Sequence, residues 1–282
     1  MKEVKLYLNY AGYCYAKEKY AIKSGRNEKI KFHALFGLIL HPEQGWILYD
    51  TGYTSRFYEA TKKYPNKIYA KNTEVVINPE DEVKSQLKNF NIDPQDIKHI
   101  IISHFHADHV CGLKDFDNAT FYCSAAAYRQ ICLSNSFWGF SKGYLKDLIP
   151  AYFNKRVTII KEFAIASSDK IFTIKYDLFG DDSIHIYPLP GHAAGQIGIE
   201  IKTSKQKYFL IADACWLKRS YEEMILPHPI VRLICDSWKD YVSTLKKVHS
   251  FHKKFPEVII VPTHCEASTS VLVSDKYDMD AL

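Results

Sequence analysis

The sequence predicts an α/β fold, organised as one domain over residues 1–282. Three observations predict it. Short apolar, often β-branched runs recur along the chain, and most of them end abruptly in a polar loop. Segments between them carry apolar residues at helical rather than alternating spacing. No linker, low-complexity stretch or short-period repeat divides the chain.

The elements follow in order. Lys5 to Tyr10 alternates around Leu6 and Leu8 and predicts a strand. Ala34 to His41 and Trp46 to Tyr49 flank the turn Pro42-Glu43-Gln44-Gly45 and predict a hairpin, which runs out into Asp50-Thr51-Gly52. Residues 53–78, rich in Tyr, Lys and Asn, read as an excursion from the core. A proline-led acidic start at Pro79 and the spacing of Val83, Leu87 and Phe90 predict a helix. Ile100 to Ile102 reads as a buried strand and residues 124–134 as a helix. Residues 135–153 hold Phe137, Trp138, Phe140, Tyr144 and Tyr152 among glycines. They suit an aromatic-rich cap over a pocket or a peripheral aromatic minicore. Strands are predicted again at Ile184 to Tyr187, Tyr208 to Ile211 and Val258 to Val261. A helix from about Trp238 to Phe255 turns Tyr241, Leu245 and Val248 to one side.

Composition excludes several classes. Hydrophobic residues make up 47% and charged residues 24%, ordinary for a globular chain. The formal charge of +5 is spread as doublets without a long basic block, so no nucleic-acid partner is expected. No apolar stretch of about 20 residues occurs, so no membrane partner is expected either. Seven cysteines without a Cys-x-x-Cys pair argue against a disulfide framework. With no signal-peptide pattern at Met1 to Leu6, the expected location is cytoplasmic.

The chemistry concentrates in His104-Phe105-His106-Ala107-Asp108-His109, four metal-ligand types in six residues after a buried strand. On a strand, residues 104, 106 and 108 would share one face, and His109 would turn to the same cavity as the chain enters a loop. Buried imidazoles without partners cost about 1–3 kcal/mol each, and metal coordination satisfies them. Imidazole suits zinc or iron, and a carboxylate can bridge two cations. His192, Asp213 and His264 each follow an apolar strand, so all three can converge on the same rim. His33, His41, His99, His185, His228, His249 and His252 lack this context and read as packing or surface residues.

These motifs resemble, in succession, those of the metallo-β-lactamase superfamily: His104 to His109, Pro190-Gly191-His192, Ala212-Asp213 and Thr263-His264. The resemblance covers nearly the whole chain and implies a four-layer αββα sandwich with metals at one edge of two packed sheets. Within the superfamily the chain most resembles the N-acyl homoserine lactonase group. Lys5-Leu6-Tyr7-Leu8 with Ala11-Gly12-Tyr13-Cys14, Ile47 to Gly52, and Leu189 to Gln196 carry that likeness. It implies that His104, His106 and His192 hold one metal and Asp108, His109 and His264 the other, with Asp213 bridging. Asp50 would orient a ligand histidine or serve as an Asx-type turn residue. The chain departs from the lactonases where a tyrosine usually follows the bridging aspartate by three residues, since Trp216 stands there. Tyr221 is a candidate substitute, and residues 53–78 and 135–153 look longer than their lactonase counterparts. Cys215 and Cys265 adjoin the motifs as packing residues or extra sulfur ligands.

The implied activity is dinuclear-metal hydrolysis of a lactone or other ester-like bond of a small molecule. Two divalent ions, zinc first with iron or manganese as alternatives, would generate a bridging hydroxide. Asp108 or Asp213 would relay the proton. Phosphoester hydrolysis and thioester hydrolysis are rivals on the same fold. A di-iron redox module is a further one, but no Gly-rich flavin-binding segment accompanies it. A homodimer is compatible with the aromatic surface segments.

Overall fold

A computed structural model of the chain describes residues 2–133, 139, 142–160, 164–167 and 169–269. Its strands, in chain order, are β1 (Lys5–Lys17), β2 (Lys29–His41), β3 (Gly45–Tyr49), β4 (Glu74–Val76), β5 (Ile97–Ile101), β6 (Thr120–Cys123), β7 (Val157–Ile159), β8 (Ala164–Ala166), β9 (Ile174–Asp177), β10 (Ile184–Pro188), β11 (Ile197–Lys202), β12 (Lys207–Leu210) and β13 (Ile259–Val261). They form two sheets, ordered β4-β1-β2-β3-β5-β6-β7 and β13-β12-β11-β10-β9-β8.

Period-two alternation builds the layers. In β2, Leu35 and Ile39 face the second sheet, while Phe36 and Leu38 face outward. Ile47 and Tyr49 of β3 and Ile101 of β5 join the inner side. They meet Ile184, Ile186, Ile199, Ile201, Leu210 and Val261 from the second sheet, closing a β-on-β core. On the far side of that sheet, Tyr187, Phe209 and Ile260 pack against Leu245, Val248 and Phe251 of the helix Trp238–Lys254. Ser237 caps this helix, its hydroxyl accepting from the Asp240 N–H at 3.3 Å. On the outer face of the first sheet, Leu48, Ile100 and Phe121 are covered by Val83, Leu87, Ala127 and Ile131, which lie on helices Val83–Leu87 and Ala125–Leu133. Four layers result: helix, sheet, sheet, helix.

The β2–β3 hairpin forms as the sequence predicts, with Leu38 opposite Leu48 and Gly45 at φ +72° in the turn. Two expectations are corrected. β1 does not stop at Tyr10 but runs to Lys17. Its register against β2 shifts between Tyr10 and Tyr13, and this irregularity breaks the alternation that would have revealed its length. Residues 53–78 are not wholly an excursion, because Tyr53 and Phe57 are fully buried in the outer core. Of the aromatic 135–153 segment, Phe137, Trp138 and Phe140 lie outside the described residues. Tyr144, Tyr152 and Phe153 all belong to the outer core or pack against it.

Strand direction places one edge of the sandwich for chemistry. β3 and β5 are parallel, so Asp50 and the 102–109 segment leave the first sheet at the same end. β10 and β12 are each antiparallel to β11, and β13 is parallel to β12. The carboxyl ends of β10, β12 and β13 therefore also share one end. The Ile197 N–H donates to the Ser103 carbonyl at 3.0 Å, joining the two sheets there. Among the described residues no helix is long and apolar enough to cross a membrane.

Candidate metal centre

All seven predicted ligand residues meet at this edge. Three groupings place one potential ligand atom per residue within 4.8 Å of the others: His104 with His106 and His192; Asp108 with His109 and His264; and His104 with His109 and Asp213. The third spans the other two, which puts Asp213 between them. Its Oδ2 lies 3.3 Å from His192 Nε2 and 3.1 Å from His264 Nε2, and its Oδ1 lies 3.5 Å from His109 Nε2. His192 Nε2 is 3.0 Å from His106 Nδ1.

The convergence does not arise from strand pleat, as the sequence suggested. β5 ends at Ile101, and a helical turn, Ala107–Val110, carries Asp108 and His109. His106 is its extended N-cap residue and bridges to Tyr144. The change from strand to turn, rather than alternation, gathers four side chains from six residues. Two glycines let other backbone approach. Gly143, at φ +79°, lies so close to the His106 ring that a Cβ would stand 2.8 Å from its Cδ2. Gly191, at φ +131°, has no room at all, since a Cβ would stand 2.1 Å from the Tyr241 nitrogen. Gly191→Ala is therefore expected to displace the His192 loop and destabilise the fold by several kcal/mol, read as a lower denaturant midpoint. An unchanged midpoint would refute this packing.

The surrounding hydrogen bonds fix which nitrogen each imidazole presents. His109 Nδ1 donates to Asp50 Oδ2 at 2.7 Å. Asp50 also accepts from the Ser103 N–H at 2.8 Å and the Ser103 hydroxyl at 2.7 Å. Asp50 thus orients a histidine, while its carboxylate forms no Asx-type turn among the described contacts, although its backbone is left-handed (φ +56°). His264 Nδ1 donates to the His33 carbonyl at 2.8 Å. With Nδ1 donating, a neutral His109 or His264 turns an Nε2 lone pair toward the carboxylates of Asp108 and Asp213. Lone pairs facing one another require a proton or a cation between them.

Buried atoms without a protein partner make the same point. His104 Nε2, His109 Nε2 and Asp213 Oδ1 are among them. Native interiors rarely leave such groups unpaired. Burial holds His104 well below the usual imidazole range, with the neighbouring His109 and His106 adding to the effect. Burial also pushes His106 down to about 4 and His192 to about 3. These rings are neutral and have lone pairs to offer. Burial opposes charge on His109 too, but the carboxylates of Asp108 and Asp50 outweigh it and raise the ring well above its ordinary value. Burial would likewise raise Asp213, yet His264 and His192 hold it well below the usual carboxylate range. Three imidazoles kept neutral by burial, beside a triad with one carboxylate and the shared Asp213, suit a pair of divalent cations.

Several contributors had no sequence signal. Ser103 reaches His104 Nδ1 at 3.0 Å and His109 Nδ1 at 3.2 Å as well as Asp50. His33 was read as ordinary, but its carbonyl holds His264 and its ring stacks on Tyr10. Trp216 Nε1 donates to Asp213 Oδ2 at 3.0 Å, so its N–H is engaged by the carboxylate. Tyr221 is no substitute for the lactonase tyrosine. It is buried between the second sheet and the helix Trp238–Lys254 and donates to the Ile260 carbonyl at 3.2 Å. Cys215 and Cys265 are buried free thiols. Cys265 Sγ accepts from the Lys218 N–H at 3.3 Å, a packing arrangement.

The centre forms the floor of a cleft of about 560 Å³. Its walls are mostly apolar: Phe32, Tyr53, Tyr69, Trp216, Val231 and Ile234 contribute. Lys142 is the one Lys or Arg among the described lining residues. Segment 53–78 supplies one wall and 142–143 part of another, so both 53–78 and 135–153 contribute residues to the cleft.

Asp50→Ala would strand the His109 N–H and the Ser103 hydroxyl. Metal affinity is expected to fall roughly 10- to 100-fold, as for other partners of ligand histidines. Competition against a chromophoric chelator measures it, and undiminished affinity would remove Asp50 from this role.

Comparison with known proteins identifies the family from the sequence profile. The sequence profile of the metallo-beta-lactamase superfamily matches residues 34–219. The N-acyl homoserine lactonase AttM of Rhizobium radiobacter is 25% identical over 187 residues, covering 66% of this chain and 65% of that protein. The N-acyl homoserine lactonase of Bacillus cereus is 26% identical over 194 residues, 66% of each chain. The chain thus spans somewhat less than two thirds of the length of these relatives. Among solved structures, an N-acyl homoserine lactone hydrolase with N-hexanoyl-L-homoserine at its catalytic metal centre superposes with a TM-score of 0.75. It is 20% identical, and the match covers 96% of this chain and 97% of that one. At that identity the likeness establishes the fold.

Proposed function

Because the chain belongs to the metallo-β-lactamase superfamily, we propose that it is a metal-dependent hydrolase acting on a lactone or other ester-like bond of a small molecule. The observation that carries this reading is the pair of ligand triads sharing Asp213 beneath a mostly apolar cleft. His104, His106 and His192 would hold one divalent ion, Asp108, His109 and His264 the other, and Asp213 both. Nitrogen-rich donor sets favour zinc, with iron and manganese compatible. Bound there, two such ions would supply Lewis-acid polarisation of a substrate oxygen and a water acidic enough to ionise near neutral pH.

The protein's own residues divide the remaining work. Phe32, Trp216 and Val231 exclude water and receive the apolar part of the substrate. Asp50 and the His33 carbonyl keep His109 and His264 turned inward. The Trp216 N–H steadies Asp213 Oδ2. Asp213 is thereby occupied on several sides. We assign proton transfer to Asp108, whose carboxylate borders the cleft and receives no such N–H among the described contacts. It would take the proton of the attacking water and return it to the leaving alkoxide, a general acid–base task.

The curated relatives named above are N-acyl homoserine lactonases, which supports lactones as the first class to test. The experiment is turnover of lactones of graded acyl length, beside phosphodiesters and thioesters, by protein with measured metal content. Lactone turnover that strengthens with acyl length is expected. Background rates on every lactone, with cleavage of a phosphodiester or thioester, would transfer the assignment to that class.

A further inference from the structure

We propose that the mouth of the cleft docks on an anionic lipid surface. The first observation is where apolar side chains remain exposed. Eight large ones are exposed beyond about a third among the described residues, and five of these line the cleft or lie within four positions of a residue that does: Tyr64, Ile68, Ile230, Leu233 and Ile234. Ile68, Ile230 and Ile234 line the cleft and would meet a substrate. Tyr64 and Leu233 do not line it, yet they are 64% and 75% exposed. A substrate in the cleft does not account for them. Contiguous exposed apolar surface marks a site of association.

The second observation is charge. Residues 60–73 contain Lys62, Lys63, Lys67 and Lys71 and no acidic residue, and of these Lys62 is paired with the flanking Glu59 at 2.6 Å. Lys67 and Lys71 are one helical turn apart on the helix Lys67–Asn72, which also carries Ile68. Their ammonium groups stand 5.9 and 5.7 Å from the Tyr64 ring centroid. The 230–235 segment repeats the pattern. Arg232 lies over Trp238 beside exposed Leu233, and Lys142 donates to the Cys235 carbonyl at 2.9 Å. Each segment thus pairs protruding apolar tips with cations.

Apolar tips inside a basic collar match an anionic bilayer surface, where the tips enter the acyl boundary and the cations meet the headgroups. A second copy of the chain fits less well, because two basic collars would face each other. Docking of this kind needs no spanning helix. It would present the cleft to apolar-tailed molecules dissolved in the lipid.

The test is co-sedimentation of the full-length, metal-loaded chain with vesicles of phosphatidylcholine, with and without phosphatidylglycerol. Sedimentation is expected only with the anionic vesicles and should weaken as salt rises. Lys67→Glu combined with Lys71→Glu should reduce vesicle affinity at least about tenfold. Leu233→Ser should reduce it without changing turnover of a water-soluble ester, since the Leu233 side chain is not among the residues that line the cleft or form the core. Absence of sedimentation with anionic vesicles at low salt would overturn the proposal. So would undiminished binding by the lysine variant. Conversion of a dimer to a monomer by Leu233→Ser, without vesicle binding, would assign the patch to a second copy instead. Docking is measured without turnover, so its failure leaves the hydrolase reading untouched.

Discussion

Asp213→Ala is expected to remove hydrolytic turnover, with a loss well beyond the roughly 10- to 100-fold seen for residues that merely support a ligand. Among the described residues, Asp213 is the one carboxylate that approaches His109, His192 and His264 together. Without it the two triads lose the group placed to couple them. The substitution also strips the Trp216 N–H of its acceptor and leaves buried imidazoles facing empty volume. Elemental analysis should show metal content lowered in parallel with activity, and circular dichroism should show a folded chain. A folded Asp213→Ala variant that turned over at the parental rate would contradict the role given to Asp213.

The second large effect is expected on chelation. The buried unpartnered atoms of His104, His109 and Asp213 each cost on the order of 1–3 kcal/mol when nothing satisfies them. Ions that bind the folded chain preferentially shift its stability by about 4 kcal/mol at a thousandfold excess over Kd. For a chain of this length that is roughly 10 °C in Tm. Removing metal with a strong chelator should lower the melting temperature by about that much, and zinc should restore it. A melting curve indifferent to both treatments would mean that these side chains do not form a metal site. The His106→Ala variant offers a control, because its response to chelation should already be reduced.

The sandwich was legible because its causes are local. Strand alternation at Leu35 to Ile39, the Gly45 turn, and the helix face of Tyr241, Leu245 and Val248 are all written within a few residues. The seven ligand-type residues were legible for a related reason. A buried strand that empties into histidine or aspartate is costly unless something answers it, and this happens four times. What escaped notice depends on contacts between distant segments. His264 meets the His33 carbonyl across 231 positions, and Tyr144 meets His106 across a stretch whose aromatics gave no direction. Ser103 stood next to the motif but carried no pattern of its own. The strand-face argument for residues 104, 106 and 108 failed because periodicity cannot show where a strand yields to a turn. The core roles of Tyr53 and Phe57 were masked by the polar residues around them.

The placement of the ligand-type residues on both sheets has a consequence for how the molecule comes into being. His104 to His109 issue from the first sheet, and His192, Asp213 and His264 from the second. No fragment that stops before residue 264 owns all seven. Under the proposed assignment, capture of both cations would be a closing event that follows the meeting of the two sheets. Metal occupancy would serve as a tally of finished molecules, and a chain stalled halfway would stay empty.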